Sequence, residues 1–388
     1  MKPADRQPSN RTVVAFLTHS AALSGSELFL LRVTSAMASI RPVVILAEHG
    51  PLEVELASAG VECHVVPLAK VARTHRDTHQ AVTLATLAKV SAVGSVAVRI
   101  ARLCRSRGVE LVTTHSAKAH VYGALAARLA SVPSVMHVHG VIGAGSGARA
   151  NAAVLRLTAR VLATAIIANS RHTAASIGRN RKPLTVIGCP VGSLGAARDE
   201  SPVPVVSVIG RLSPFKGQDI VIRAFATAAH RGLPTGVRLR IVGDALFERD
   251  ADFARTLPLL AAELGVADRI DFIGHSQDVA GELARSSVVV HGSRAPEGFG
   301  QVVVEAMAAG RAVIATAAGG PSEVIRHGVD GLLVPPADVE ALAGALRFLL
   351  VDPARRAELG AAARASAQRF STAVIVPQLE RTLLRWTA

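Results

Sequence analysis

Short apolar runs rich in Val, Ile and Ala alternate with helical stretches along this chain, and the alternation runs twice. In the first half, residues 13–18, 43–47, 63–66, 110–114, 134–139 and 165–168 read as buried parallel strands. Helical stretches at 27–38, 82–107 and 117–130 lie between them. The pattern restarts at 205–209 and continues through 238–242, 270–273, 288–291, 312–315 and 331–334. Strand–helix alternation of this kind predicts doubly wound α/β sheets, which bind ligands at the carboxyl ends of their strands. Between the two sets, residues 188–204 gather Pro190, Gly192, Gly195, Pro202 and Pro204, which is linker chemistry. The expectation is two Rossmann-like α/β domains facing each other across a central cleft. The first is 1–190, the linker 191–204 and the second 205–371. A last helix near 372–388 is expected to pack back on the first domain.

A chain of 388 residues can build two cores of that size. Aromatic residues make up only 3%, which disfavours a stacking platform for single-stranded nucleic acid. Cys63, Cys104 and Cys189 are scattered and give neither a zinc-site spacing nor a disulfide framework. With a polar stretch at 1–11 and no uncharged apolar run long enough to span a bilayer, a cytoplasmic setting is expected. The charge is lopsided. Residues 1–200 carry 23 Lys and Arg against 10 Asp and Glu, while the rest of the chain is nearly balanced. That excess suits an anionic partner of the first half, such as acidic lipid, a phosphorylated acceptor or nucleic acid; a general preference for Arg would also produce it. The stretch 70–107 holds eight cations (Lys70, Arg73, Arg76, Lys89, Arg99, Arg102, Arg105 and Arg107) and one acid, Asp77. A helix there can lie on the inner face of an anionic membrane, or simply pack its apolar face on a sheet and solvate its cations.

Four constellations carry chemistry. In Glu297-Gly-Phe-Gly-Gln-Val-Val-Val-Glu305, two glutamates flank a Gly-rich turn that opens a helix. The amides of a first helical turn suit anionic or hydroxyl oxygens, and a carboxylate such as Glu305 accepts from two vicinal ribose hydroxyls. Glu297 can hold sugar hydroxyls or stabilise developing positive charge. Either glutamate alone would read as a solvated acid on a capped helix. Arg211 and Lys216 occupy the loop after the strand at 205–209, where two cations suit a diphosphate. Ser24-Gly25-Ser26-Glu27 is a small-residue turn opening a helix after the first strand, and it is not a GxGxxG fingerprint. His139 closes the strand at 134–139 ahead of a Gly-rich loop, with His137 on the same strand face; it can hydrogen-bond a sugar hydroxyl or the reacting oxygen. His115, Lys118 and His120 can touch an acceptor, with a plain surface position as the alternative. Asp250-Ala-Asp252 mimics a metal-binding DxD but falls in a loop or at a helix start of the second domain, so no metal is expected.

Taken together these residues resemble glycosyltransferase family 4, the retaining group 1 enzymes of the GT-B fold. Beside the motifs above, Ile241-Val-Gly-Asp244, Phe272-Ile-Gly274 and Gly319-Gly-Pro-Ser-Glu323 through Pro335 are similar to family landmarks in the same order. The resemblance covers nearly the whole chain. Where the family often has Gly-Gly, this chain has Ser24-Gly25. The resemblance implies a nucleoside-diphosphate sugar as co-substrate, no cofactor or metal, and an acceptor that is a sugar, a lipid-linked molecule or a metabolite. Arg211 and Lys216 would bind the donor diphosphate and Glu305 the ribose. Glu297 and the backbone of Phe299, Gly300 and Gln301 would hold the donor sugar and its phosphate. Gly25 would approach the diphosphate from the first domain, and His139 would sit beside the transferred sugar. An epimerase or phosphorylase on the same architecture is the nearest alternative, and a non-catalytic basic module on a membrane or nucleic acid the more distant one.

Overall fold

The structure, a computed structural model, describes residues 11–68, 84–143, 148–192 and 203–387. The chain divides into two compact units. One comprises Met1–Pro190 with Thr372–Ala388, the other Val191–Ser371.

The first unit is a seven-stranded parallel sheet in the order β3-β2-β1-β4-β5-β6-β7. Its strands are β1 (Thr12–Thr18), β2 (Ile40–Leu46), β3 (Glu62–Val65), β4 (Leu111–Thr114), β5 (Ser134–Val138), β6 (Ala165–Ala168) and β7 (Leu184–Val186). Helices α1 (Gly25–Ala36), α2 (Pro51–Ser58), α3 (Leu84–Ser106), α4 (Ala117–Ala130), α5 (Ala148–Val161) and α6 (Arg171–Ile177) connect them. The core strands are buried on both faces, which is why they read as continuous apolar runs. β7, α5 and α6 have no counterpart in the sequence reading. β7 is a three-residue edge strand, and α5 is too polar and Ala-rich to stand out.

The basic stretch 70–107 resolves in part. Lys70, Arg73, Arg76 and Asp77 lie outside the described residues, as do Gly145 and Gly147 of the loop after His139 and residues 193–202 of the expected linker. Within α3, Val96, Ala97, Ile100, Ala101 and Cys104 join the core with β1, β2 and α4. Arg99, Arg102, Arg105 and Arg107 stay exposed. From Val96 onward, the apolar face of α3 therefore packs on the sheet instead of remaining open to a membrane. No described helix is long and apolar enough to cross one.

The second unit is a six-stranded parallel sheet in the order β10-β9-β8-β11-β12-β13. The strands are β8 (Val205–Ile209), β9 (Arg238–Val242), β10 (Ile270–Gly274), β11 (Val288–His291), β12 (Ala312–Thr316) and β13 (Leu332–Val334). Helices α7 (Gln218–His230), α8 (Glu248–Glu263), α9 (Val279–Arg285), α10 (Gln301–Ala308), α11 (Pro321–Val324), α12 (Val339–Val351) and α13 (Pro353–Ala367) cover it, around a core that includes Phe225, Leu239, Ile314, Leu346 and Leu359.

The last helix, α14 (Thr372–Leu384), returns to the first unit. Glu380 fixes it there: one carboxylate oxygen accepts the amides of Ala38, Ser39 and Ile40 at 2.9, 2.6 and 3.0 Å, ahead of and at the start of β2. Three amides that no helix or strand partner would satisfy are thus paired by one buried charge.

Candidate active site

In each sheet the strand order reverses beside the first strand, and chemistry-bearing residues gather at that switch point. In the second unit the reversal lies between β8 and β11. The loop after β8 carries Arg211, then a single 3-10 turn, Pro214–Lys216, that ends at Gly217. Gly217 takes φ +67°, and a Cβ on it would lie 2.2 Å from the carbonyl oxygen of Gly292. Only glycine allows this approach, which presses the loop onto the end of β11. The amide of Arg294 adds a bond to the Phe215 carbonyl at 2.9 Å.

The result is a charged cluster. Lys216 Nζ donates to Glu297 Oε1, and His291 Nε2, at the end of β11, is hydrogen-bonded to Glu297 Oε2. Ser293 Oγ reaches the same His291 nitrogen at 3.2 Å. Burial by itself would raise the Glu297 carboxyl, but the Lys216 charge and then His291 outweigh it and hold the group well below the usual carboxylate range. Glu297 is therefore ionised even though burial by itself disfavours its charge.

Behind this cluster, Glu297, Phe299 and Gly300 are set by the turn ahead of β13. Glu297 bridges Gly319, and its carbonyl accepts the amide of Gly320 at 2.8 Å. A Cβ on Gly320 would fall 2.3 Å from the Cα of Phe299. Gly300, at φ +82°, caps α10. Glu305, one turn along, is buried and accepts from Gln301 Nε2 at 3.1 Å. Arg211 is half-buried, with its guanidinium 4.9 Å from the Phe247 ring centre and its Nε 3.9 Å from Asp250.

The structure thus brings Lys216, Glu297, Phe299, Gly300, Gln301 and Glu305 into one region of this unit. His291 and Asp250 were missed in sequence. His291 carries the same signal that singled out His139, a histidine at the carboxyl end of a strand. Asp250, half of the Asp250-Ala-Asp252 string, is buried in the first turn of α8 and faces Arg211; Asp252 instead pairs with Arg255 on the surface.

In the first unit the reversal lies between β1 and β4, with β5 next. At the start of α1, the Glu27 carboxylate accepts from Thr18 Oγ1 at 3.1 Å, Ser26 Oγ at 2.9 Å and Ser24 Oγ. The hydroxyls of this turn are thereby occupied, leaving the exposed backbone at Gly25 as the part that can meet a ligand. His115 follows β4 and His139 follows β5, with His115 Nδ1 and His139 Nε2 3.0 Å apart. Their rings pack with His137 and with Phe29. His115 and His120 are buried, which corrects the surface alternative, while Lys118 is half-buried. Burial lowers all four imidazoles, with neighbouring histidines adding to the effect on His115, His120 and His137. His139 and His120 fall to about 3. His139 is therefore a neutral hydrogen-bonding group at pH 7 and not a proton-charged acid. Its carbonyl accepts from Asn169 Nδ2 at 2.7 Å. Beside it lies a pocket of about 460 Å³ lined by Ser26, His115, His120, His139, Ile142 and Asn151.

Among the described residues, the one cluster able to offer three metal ligands is His115, His137 and His139, whose nitrogens lie within 4.8 Å of one another. The His137 and His139 rings stack at 4.3 Å and 22°, and His115 Nδ1 is hydrogen-bonded to His139 Nε2.

Comparison with known proteins agrees with this picture. The family model described as "Glycosyl transferases group 1" matches residues 197–366, and "Glycosyltransferase Family 4" matches 52–192. The exopolysaccharide phosphotransferase SCO2592 of Streptomyces coelicolor is 42% identical over 173 residues, 44% of this chain and 17% of that one. The D-inositol 3-phosphate glycosyltransferase of Acidothermus cellulolyticus is 41% identical over 169 residues, 43% of this chain and 37% of that one. The chain thus spans well under half the length of these relatives. Among solved structures, Anabaena Alr3699/HepE in complex with UDP-glucose superposes with a TM-score of 0.82 at 28% identity, covering 97% of this chain and 100% of the other. Sucrose-phosphate synthase from Thermosynechococcus elongatus, at 21% identity and a TM-score of 0.79 over 97% and 99%, shares the fold.

Proposed function

The chain belongs to the group 1, family 4 glycosyltransferases, and from that premise we propose that it moves a sugar from a nucleoside-diphosphate sugar to an acceptor hydroxyl, retaining the anomeric configuration and using no metal. The observation that carries this reading is the Lys216–Glu297–His291 cluster beside the start of α10.

A departing diphosphate needs its growing negative charge met by fixed groups. Lys216 and Arg211 supply cations, and the first-turn amides after Phe299, Gly300 and Gln301 supply oriented donors. Glu297, kept ionised, accepts from donor-sugar hydroxyls and stabilises positive charge developing at the anomeric carbon. Glu305 accepts from the ribose. The sugar–oxygen bond to the diphosphate breaks with its electron pair going to the leaving oxygen. The acceptor hydroxyl attacks from the same face, and its proton passes to that diphosphate oxygen. His139, neutral, hydrogen-bonds a hydroxyl of the sugar or acceptor, and the backbone at Gly25 approaches the diphosphate. The uridine and glucose of the Anabaena complex make a UDP-hexose the first donor to try.

Product NMR tests the reaction type. An α-linked donor should give an α-linked product, with full activity in EDTA. A β-linked product, or complete loss in EDTA restored by a divalent metal, would overturn the reading. Sugar epimerisation without an acceptor would favour the alternative enzyme.

A further inference from the structure

A second surface of the first unit is built unlike the rest of the molecule. From residue 111 to residue 198 the sequence has no Asp or Glu and ten Lys or Arg. Helix α5 and the segment leading into β7 lie within this stretch. At about 100° per residue, α5 divides into three faces. Ala152, Thr158 and Ala159 face inward and are buried. Arg149, Arg156 and Arg160 form a line along one side, all exposed. Next to that line, Val154, Leu157 and Val161 form a second row, 50%, 61% and 63% exposed. These three aliphatic side chains stand in register on a solvent face directly beside a row of cations.

The basic line continues off the helix. Arg156 donates to the Ser176 carbonyl at 3.0 Å, and Arg160 to the Arg179 carbonyl at 3.0 Å. These bonds tie the C-terminal end of α5 to a pocket of about 540 Å³ lined by Arg160, Arg179, Asn180, Arg181 and Lys182. Asn180 Nδ2 is buried there without a hydrogen-bond acceptor. Four cations around one hollow, with no acidic side chain in the lining, suit phosphate oxygens.

We propose that this face, α5 with its basic pocket, seats the protein on an anionic phospholipid bilayer. The aliphatic row enters the headgroup boundary, the arginine line meets the acidic surface, and the pocket takes a lipid phosphate. A helix with an apolar row beside a cationic row is the form that lies in the plane of such an interface. Single-stranded nucleic acid would call for stacking side chains, and duplex phosphates would be met by cations alone and leave the exposed aliphatic row unused. The inference goes beyond the glycosyl-transfer reading and does not depend on it. It also moves membrane contact from the stretch at 70–107 to a different element.

Vesicle flotation of the full chain tests it, comparing pure phosphatidylcholine with vesicles holding about three parts in ten phosphatidylglycerol. The wild type should float with the acidic vesicles only, and less as salt rises. Two variants change exposed side chains and should keep the wild-type melting curve: Leu157→Asp with Val161→Asp, and Arg179→Gln with Arg181→Gln and Lys182→Gln. Each should lower binding about tenfold or more, the order expected from removing two or three contacts of this kind. Arg102→Gln with Arg105→Gln in α3 should bind as the wild type does. Equal flotation on neutral and acidic vesicles would overturn the proposal, as would wild-type binding by either α5-face variant. Loss confined to the charge variant would point to a purely ionic surface for nucleic acid or an acidic protein. Release by millimolar inorganic phosphate at constant ionic strength would point to a free-anion pocket. A loss in the α3 variant would shift the contact to that helix. Each of these three results contradicts the proposal.

Discussion

Glu297 occupies a position where burial favours a proton, and it keeps its charge because Lys216 and His291 both reach it. That arrangement assigns separable roles to neighbouring charges. Lys216→Ala and Arg211→Ala should each lower turnover by about 10²–10³, the value of one fixed donor to a developing anion, while leaving the circular dichroism spectrum unchanged. Glu305→Gln should weaken calorimetric binding of the free nucleoside diphosphate, because an amide accepts fewer hydrogen bonds than a carboxylate. Glu297→Gln should spare that affinity and reduce transfer. The reverse pattern would exchange the two roles. Much of this site was legible in sequence, since a Glu-x7-Glu string around a Gly-rich turn and a cation pair after a strand are local patterns. His291 and Asp250 were not, for a different reason in each case. The histidine does stand at a strand's carboxyl end in sequence, but its partners emerge only once the Gly217–Gly292 approach brings Lys216 to the end of β11; the aspartate's partner emerges only once α8 turns it toward Arg211.

Packing between elements fixes these side chains, and it makes predictions of its own. Gly320→Ala would drive a methyl group into the Phe299 backbone. The turn ahead of β13 must then move, which should cost about 1–3 kcal/mol of stability and reduce donor affinity together. Thermal melts combined with nucleotide titration would show it; a fully stable, fully active variant would mean the approach is dispensable. Glu380→Gln on α14 weakens three charge-assisted amide contacts at once and should cost about 1.5–3 kcal/mol in denaturant melts. The sequence placed the long, strongly apolar strands well, because burial on both faces leaves a continuous Val/Ile signature. It passed over β7, whose three residues are too few to show a pattern, and α5, which is polar and Ala-rich and whose inward face is mostly small while Val154, Leu157 and Val161 point outward.

For the molecule as a whole, the first unit carries three buried imidazoles, those of His115, His120 and His137, and the half-buried imidazole of His139, all lowered. In the unfolded chain they titrate near 6.5. A group with a depressed folded pKa leaves the unfolded state with more bound protons on acidification, so stability present above about 6.5 is lost as pH falls below it. Each histidine contributes a slope of at most about 1.4 kcal/mol per pH unit. Melting temperature should therefore drop between pH 7.5 and 5, and His137→Phe should make that drop shallower; a flat profile would remove the buried-imidazole account. The proposed glycosyl transfer from a nucleotide sugar rests on the charge cluster after β8 and β11. It is checked by mass spectrometry of nucleoside-diphosphate release from a panel of nucleotide sugars, run on the wild type beside Lys216→Ala. The wild type should consume one donor class, and the variant should release the nucleoside diphosphate about 10²–10³ more slowly; release from no donor, or equal release by both proteins, would overturn the proposal.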